Sequence, residues 1–333
     1  MAKYPLCFFL LSLFSLFGVL QCQKTQKPVD SDLVSVKKNI FETNASFLNQ
    51  IKELENLVAE NAGEKTLQQK FDALRITYKK MEWAVEYFLP TTARFMNGPA
   101  LPEIEMEEHT VLEPEGLQVI EEMVYPYDAQ NKEELLRILK KLTNKSNTVK
   151  ANFSAISVSR DQVYDAVRQQ VFRISSLGIA GFDTPVSGNF LREMPFALES
   201  VKSALKMIHQ EENQGKSLEK ISKQIDAAIL ELKKNPEKNS FDYIGFIPNH
   251  LNKISATLLE FKKEENIPDV EVTTALRKNA SSFYAKNAFD VDAFIPGKEF
   301  AMSEEKVQLG KQLFNDKILS NNSTRSCASC HDA

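Results

Sequence analysis

The residues with the clearest chemistry lie at the C-terminus, where Cys327, Cys330 and His331 form the pattern Cys-Ala-Ser-Cys-His. Two thiols at this spacing can form thioether bonds to the vinyl groups of a haem, and the adjacent imidazole can then ligate its iron. We therefore predict that Cys327 and Cys330 bind haem c covalently and that His331 is an axial ligand of the haem iron.

Other uses of a Cys-x-x-Cys pair find less support in this sequence. A zinc site would need a second pair of ligands, but the remaining cysteines, Cys7 and Cys22, lie in the N-terminal leader. A thioredoxin-like redox pair would need a βαβ setting, which is missing around Cys327. An inert pair of thiols is the remaining alternative. Because no cysteine lies between Cys22 and Cys327, a disulfide framework is excluded for the bulk of the fold.

Between the leader and this motif, apolar residues recur at intervals of three and four, the spacing of amphipathic helices. The first two stretches are separated around Gly63, and Pro90 is expected to close the second. The apolar positions are Leu33, Val36, Ile40, Phe47, Ile51, Leu54, Val58, Leu67, Phe71, Leu74, Tyr78, Met81, Val85, Phe88, Val163, Val167, Val171, Ile174, Leu177, Met194, Leu198, Val201, Leu205, Ile208, Leu218, Ile221, Ile225, Leu232, Leu251, Ile254, Leu258 and Phe261. We predict an all-α fold, a helical bundle that buries these residues in its core.

Composition narrows the class of protein further. Glycine is scarce, at 11 residues, and alternating β-branched runs are hard to find, so strands joined by tight hairpins are poorly supported. The 41 Lys and Arg residues nearly balance the 45 Asp and Glu residues, which leaves a formal charge of −4. This is not the basic excess that binding to a phosphate backbone requires, so nucleic acid is excluded as a partner.

Two segments interrupt the helical pattern and are predicted to be linkers. The first, residues 97–114, is rich in proline and acidic residues, and the second spans residues 290–302. We place the domain boundary at the second linker. Residues 33–289 are then an all-helical accessory domain, and residues 303–333 are the start of a cytochrome c-type haem domain.

The segment that leads to the cysteines has its own helix and turn signals. Ser303, followed by two glutamates, is expected to cap a short helix that carries Val307, Leu313 and Phe314. Beyond it, residues 315–316 and 321–323 are rich in asparagine, aspartate and serine, which predicts turns. These elements are expected to position the Cys-x-x-Cys-His motif.

The N-terminal leader indicates that the protein is exported from the cytoplasm. Residues 1–22 combine a short positive start with an apolar run that is too short to span a membrane comfortably, which is typical of a secretory signal peptide. Cys22 resembles the lipidated cysteine of a bacterial lipoprotein, although ordinary signal cleavage remains the alternative. Residues 23–32 would be a polar tether. We expect a periplasmic protein that contacts the membrane only through a lipid anchor, on the periplasmic side of the outer or cytoplasmic membrane.

The C-terminal segment resembles a known family. Its opening stretch is Leu309-Gly-Lys-Gln-Leu-Phe-Asn-Asp-Lys-Ile-Leu-Ser320, followed by Ser326-Cys-Ala-Ser-Cys-His-Asp332. These motifs are similar to the start of the bacterial di-haem cytochrome c peroxidase and MauG-like family. The resemblance implies reduction of hydrogen peroxide with electrons from a small cytochrome or similar donor. It also implies that Cys327 and Cys330 hold the haem of the domain in which peroxide is reduced, with His331 on its iron.

The sequence ends two residues after His331, whereas a haem domain needs roughly a hundred further residues. We therefore expect this polypeptide to be an incomplete, inactive portion of a longer parent protein. A second haem and a calcium ion would belong to the missing part. No catalytic residue can be assigned within the sequence.

The helical region resembles, more faintly, the imelysin-like domains of exported bacterial proteins. The resemblance rests on residues 82–88, 94–99 and 115–122. Imelysin-like proteins often carry Gly-x-His-x-x-Glu, a pattern whose histidine and glutamate can share a metal, but here Gln118 replaces the histidine between Gly116 and Glu121. Because an amide is a poor ligand for transition metals, we expect Gln118 and Glu121 to form hydrogen bonds within the bundle instead.

The alternative function is an exported, imelysin-like helical binding module without enzymatic activity. The remaining histidines do not argue for a further iron site. His109 lies in an acidic loop, and His209 and His250 lie near predicted helix ends, so surface or capping roles are expected for them.

Overall fold

The computed structural model describes residues 31–105 and 110–332. Within these ranges the chain is all-α, as predicted, apart from one small antiparallel sheet. Its strands, β1 (Glu103–Glu105) and β2 (Thr110–Leu112), lie in the segment predicted to be the first linker. The predicted signal peptide, Cys22 and His109 fall outside the described residues.

The α-helices before residue 265 form what we call the helical body. In chain order they are α1 (Ser31–Ala59), α2 (Glu64–Lys79), α3 (Glu82–Phe88), α4 (Pro90–Asn97), α5 (Leu117–Val124), α6 (Lys132–Ala155), α7 (Arg160–Arg173), α8 (Phe190–Ile208), α9 (Lys216–Lys234), α10 (Tyr243–Phe246) and α11 (Asn252–Glu264). One further helix, α12 (Glu304–Asn315), precedes the cysteines. Among the described residues, no helix combines the length and the apolar character needed to cross a membrane.

The predicted stripes form the core of this body, with exceptions: Leu177 is 37% exposed, and Leu33, Phe88 and Leu218 are only partly buried. Along α1, Val36, Ile40, Phe47, Ile51 and Leu54 are fully buried, and the helix packs these residues against α2 and α6. The break predicted around Gly63 is confirmed, because α1 ends at Ala59 and α2 begins at Glu64. Burial of an apolar stripe, repeated from helix to helix, is the main source of stability for such a bundle.

The prediction that Pro90 closes the second helix is wrong. The helix ends earlier, at Lys79, and Pro90 is the first residue of α4. A proline is well placed at a helix start, because its missing N–H would have no intrahelical partner there and its φ angle already suits the helix. The predicted stripe, which runs from Leu67 to Phe88, therefore spans two helices, α2 and α3.

Helix α8 occupies the centre of the body. It packs against α1, α2, α3, α7 and α9, and thereby joins the N-terminal helices to the C-terminal ones. Its apolar face, which includes Leu191, Leu198, Val201 and Leu205, is fully buried. Glu193, which lies on the same helix, is also buried, at 3% exposure. A buried carboxylate in this position needs a partner of opposite charge.

Regular α-helix stops at Glu264, and residues 265–303 are irregular apart from one 3₁₀ turn. This segment still packs on the helical body, since Val270, Ala280 and Ala288 are buried. The hydroxyl of Tyr284 donates to the carbonyl oxygen of Ser175 at 3.1 Å. The irregular segment therefore covers the end of α7 and the π-helical turn that follows it.

Gly116, at the start of α5, lies directly against the backbone of α4. Its φ of +98° lies in the region that side chains disfavour, and a Cβ would lie 2.6 Å from the carbonyl oxygens of Phe95 and Met96. We expect Gly116→Ala to lower the free energy of unfolding by about 2–4 kcal/mol, through backbone strain and overpacking. Urea denaturation measures the change.

Gly63 offers a matched control. It precedes α2 with an ordinary φ of −67°, and a Cβ there would meet nothing within 4 Å. Gly63→Ala should change stability by no more than about 1 kcal/mol. Equal losses in the two variants would contradict the packing described for Gly116.

Candidate haem-attachment site

The two C-terminal cysteines lie on one tight turn of the backbone. Residues Cys327–Ser329 form a 3₁₀ turn, in which the amides of Cys330 and His331 both donate to the carbonyl oxygen of Cys327, at 3.2 and 3.0 Å. Ser326 precedes the turn, and its amide donates to Oγ of Ser329 at 3.0 Å. These local bonds fix the backbone of the whole Cys-x-x-Cys-His motif.

Helix α12 and two loops lead the chain into this turn, as the sequence predicts. Oγ of Ser303 accepts from the amide of Lys306 at 3.3 Å and so caps the helix. After the helix, the carboxylate of Asp316 accepts from the amide of Ile318 at 2.9 Å, and Oδ1 of Asn322 accepts from the amide of Thr324 at 3.2 Å. The predicted cap and both predicted turns are confirmed.

The residues present fit covalent haem. Cys327 and Cys330 are free and exposed, as is His331, so two thiols and an imidazole are accessible on one turn. No side chain of α12 is buried, and Leu309, Ile318 and Leu319 are more than half exposed. A macrocycle has extensive apolar faces, so uncovered apolar side chains in the same segment as the thiols suit such a group.

Comparison with known proteins supports this assignment. Residues 304–333 match the family model described as di-haem cytochrome c peroxidase. The match begins at the first residue of α12 and includes both cysteines and His331, which confirms the resemblance predicted for this segment. No curated protein matches the chain. The family match implies haem c and supports a haem-binding, peroxidase-like oxidoreductase. The imelysin-like resemblance of the helical body stays a prediction.

The altered Gly-x-Gln-x-x-Glu motif forms hydrogen bonds inside the bundle, as expected. Nε2 of Gln118 donates to the carbonyl oxygen of Asn97 at 2.9 Å. Oε1 of Glu121 accepts from the amide and hydroxyl of Ser187, at 2.9 and 2.5 Å. Within residues 31–105 and 110–332, no group of three or more His, Cys, Asp or Glu side chains is arranged to hold a metal ion.

The two described histidines of the helical body have local partners. His209 caps the C-terminus of α8, and its Nδ1 lies 2.5 Å from Oε1 of Glu265. The ring of His250 stacks on Phe246 with a centroid distance of 5.0 Å. The capping role expected for His209 is confirmed.

A buried ionic network near Gln118 was missed by sequence reasoning. Asp183, which lies between α7 and α8, accepts from Lys79 at 2.6 Å, Arg173 at 2.8 Å and Asn97 at 2.9 Å. Lys79 also pairs with Glu82 at 2.6 Å. Lys79, Asn97, Arg173 and Asp183 come from different segments of the chain. Their spacing in the sequence therefore gives no indication that they meet in the fold.

Electrostatic interactions within this network favour the charged forms of Asp183 and Arg75. Burial alone would raise the pKa of Asp183, but Lys79, Arg173 and Arg75 hold it well below its usual value. Likewise, burial would lower the pKa of Arg75, whereas Glu193 raises it. The guanidinium of Arg75 faces Glu193 as a fork, with Nε to Oε1 at 2.5 Å and Nη2 to Oε2 at 3.0 Å. Bidentate pairs of this kind are strong and directional.

We expect Arg75→Met to lower the free energy of unfolding by about 3–5 kcal/mol, because it leaves the carboxylate of Glu193 buried without its partner. The double variant Arg75→Met/Glu193→Leu should recover part of this loss, because it removes the unpaired charge. Urea denaturation of the single and double variants measures both effects.

The exposed pair Arg192 and Glu237 provides the control. Its side chains are 60% and 67% exposed, so Arg192→Met should cost less than about 1 kcal/mol. A double variant less stable than Arg75→Met would contradict the view that the unpaired charge causes the loss.

Because the carboxyl of Glu121 is buried, we predict that the stability of the fold depends on pH. Its Oε2 is buried with no hydrogen-bond partner among the described residues, and burial raises the pKa of this carboxyl above its usual value. The folded state therefore binds this proton more tightly than the unfolded state, and wild-type stability falls as pH rises from the unfolded pKa through the folded one.

Because Glu121→Gln cannot lose a proton, its stability relative to wild type should increase with pH across that window. The gain is about 1.4 kcal/mol for each unit by which folding raises the pKa. Thermal denaturation at a series of pH values measures this difference, with Glu122→Gln at the exposed neighbouring position as control. A difference that does not vary with pH would contradict the prediction.

Proposed function

We propose that Cys327 and Cys330 bind haem c covalently, that His331 ligates its iron, and that the protein reduces hydrogen peroxide with electrons from a cytochrome-type donor. The observation that carries this proposal is the family match over residues 304–333, which encloses a turn with two free, exposed thiols beside an imidazole. Peroxide reduction is proposed for a polypeptide in which the haem domain is complete.

Each residue of the motif has a distinct part in this proposal. Cys327 and Cys330 each add a thiol across one vinyl group, so that sulfur bonds to one carbon and the proton moves to the other. This addition consumes neither oxidant nor reductant. His331 would hold the iron through a ring nitrogen. When bound, haem supplies an iron centre that exchanges electrons with the donor and the peroxide.

We also propose that the protein is exported to the periplasm, either after ordinary signal cleavage or with a lipid on Cys22. The support is the charged start and apolar run of residues 1–22. The alternative function, an exported helical binding module without enzymatic activity, makes no use of Cys327, Cys330 and His331. Haem attachment therefore distinguishes the two.

Expression of the full chain in a host with haem-attachment machinery tests the proposal. We expect a pyridine haemochrome spectrum of a c-type haem at about one haem per chain. Cys327→Ala/Cys330→Ala should abolish covalent haem, because neither thioether can form. His331→Ala should change the absorbance of the bound haem, because it removes an axial ligand.

His250→Ala is the matched control, since this histidine stacks on Phe246 in the helical body and should leave the spectrum unchanged. Wild-type protein without covalent haem would favour the helical module. Covalent haem that persists in the double cysteine variant would place attachment elsewhere.

A further inference from the structure

Arg168, on α7, is a buried cation without a carboxylate partner. Its side chain is 3% exposed and forms no ion pair with any acid in the described ranges. One terminal nitrogen, Nη2, donates to the carbonyl oxygens of Arg277 and Ala280, at 2.6 and 3.3 Å. Nε is buried with no hydrogen-bond partner in the part of the chain that the structure describes. The guanidinium thus retains an unused donor and an unbalanced charge.

Arg75, which is buried, and Arg173, which is partly buried, both have carboxylate partners. Arg75 lies 2.5 Å from Glu193, and Arg173 lies 2.8 Å from Asp183. Their pKa values are raised by these acids, whereas burial lowers the pKa of Arg168. Burying an unpaired charge costs free energy, which an anion bound beside Arg168 would offset.

A cavity of about 290 Å³ lies beside this guanidinium. Phe172, Phe283 and Leu276 contribute apolar walls, and Ser176 and Thr274 contribute hydroxyl groups. The guanidinium carbon of Arg168 lies 4.9 Å from the ring centroid of Phe172, and the rings of Phe172 and Phe283 lie 5.8 Å apart. The cavity lining thus combines a buried guanidinium with two neighbouring aromatic rings.

The remaining charged groups at the cavity have partners within the protein. Asp165 lies 3.9 Å from Lys278 and accepts from Gln169 at 3.1 Å. Arg173, which also lines the cavity, pairs with Asp183. Among the described residues that line the cavity, Arg168 is therefore the charged group that has no ion-pair partner.

We propose that this cavity binds a small organic acid whose carboxylate pairs with Arg168 and whose apolar, ring-sized body packs against Phe172 and Phe283. A guanidinium suits a carboxylate, because charge-assisted hydrogen bonds between the two are strong. The volume of about 290 Å³ lies at the lower end of ligand pockets, so it suits a single ring rather than a larger cofactor. This site is independent of haem attachment.

Isothermal titration calorimetry of the full chain with benzoate and with benzamide tests the proposal without any variant. The two probes have nearly the same shape and differ in charge. We expect benzoate to bind and benzamide to bind at least about tenfold more weakly, because only the carboxylate can pair with the buried guanidinium. Equal binding of the two probes, or no binding of benzoate at millimolar concentration, would overturn the proposal.

Two variants locate the site. Arg168→Gln should weaken benzoate binding by at least about tenfold. Arg192→Gln, at an exposed arginine that pairs with Glu237, should leave it unchanged. Arg168 also donates hydrogen bonds to residues 277 and 280, so circular dichroism must show that Arg168→Gln is folded. If this variant does not fold, the comparison of benzoate with benzamide on the wild-type protein decides whether the proposal holds. Inorganic phosphate binding as tightly as benzoate would overturn the requirement for an apolar body.

Discussion

The packing of the helical body depends on the buried carboxylate of Asp183 and the groups that converge on it. Lys79 comes from the end of α2, Arg173 from the end of α7 and Asn97 from the end of α4, so one side chain ties three helix ends together. The pair of Arg75 and Glu193 extends the same network onto α8, the central helix. Because a buried charge without a partner is costly, the relative positions of these helices are tightly specified.

The C-terminal segment is organised by a different constraint. Its backbone is fixed by local bonds, such as the cap at Ser303 and the turn at Cys327, while its apolar side chains stay exposed. A segment of this kind has secondary structure without a core of its own. Covalent haem would give Leu309 and Ile318 an apolar surface to pack against, in the way that core residues serve the helical body. Folding and cofactor attachment are then coupled in this part of the chain.

Features set by local sequence could be predicted, and features set by distant partners could not. The stripe of α1, the break at Gly63 and the cap at Ser303 follow from spacing and residue type alone, and the Cys-x-x-Cys-His motif is contiguous. In the buried network, Lys79 and Asp183 are 104 positions apart in sequence, and Arg75 and Glu193 are 118 apart. Pro90 can follow the end of one helix or begin the next, so its residue type alone did not decide between the two. The sequence likewise could not predict that Arg168 has no carboxylate partner, because that depends on which acidic side chains the fold brings near it.

We propose that this chain carries a haem bound through Cys327 and Cys330. Mass spectrometry of the peptide that contains both cysteines, after denaturation and alkylation of free thiols, tests this most directly. We expect the peptide to keep the mass of one haem and neither cysteine to be alkylated. A peptide with both cysteines alkylated, from protein made together with active haem-attachment machinery, would contradict it.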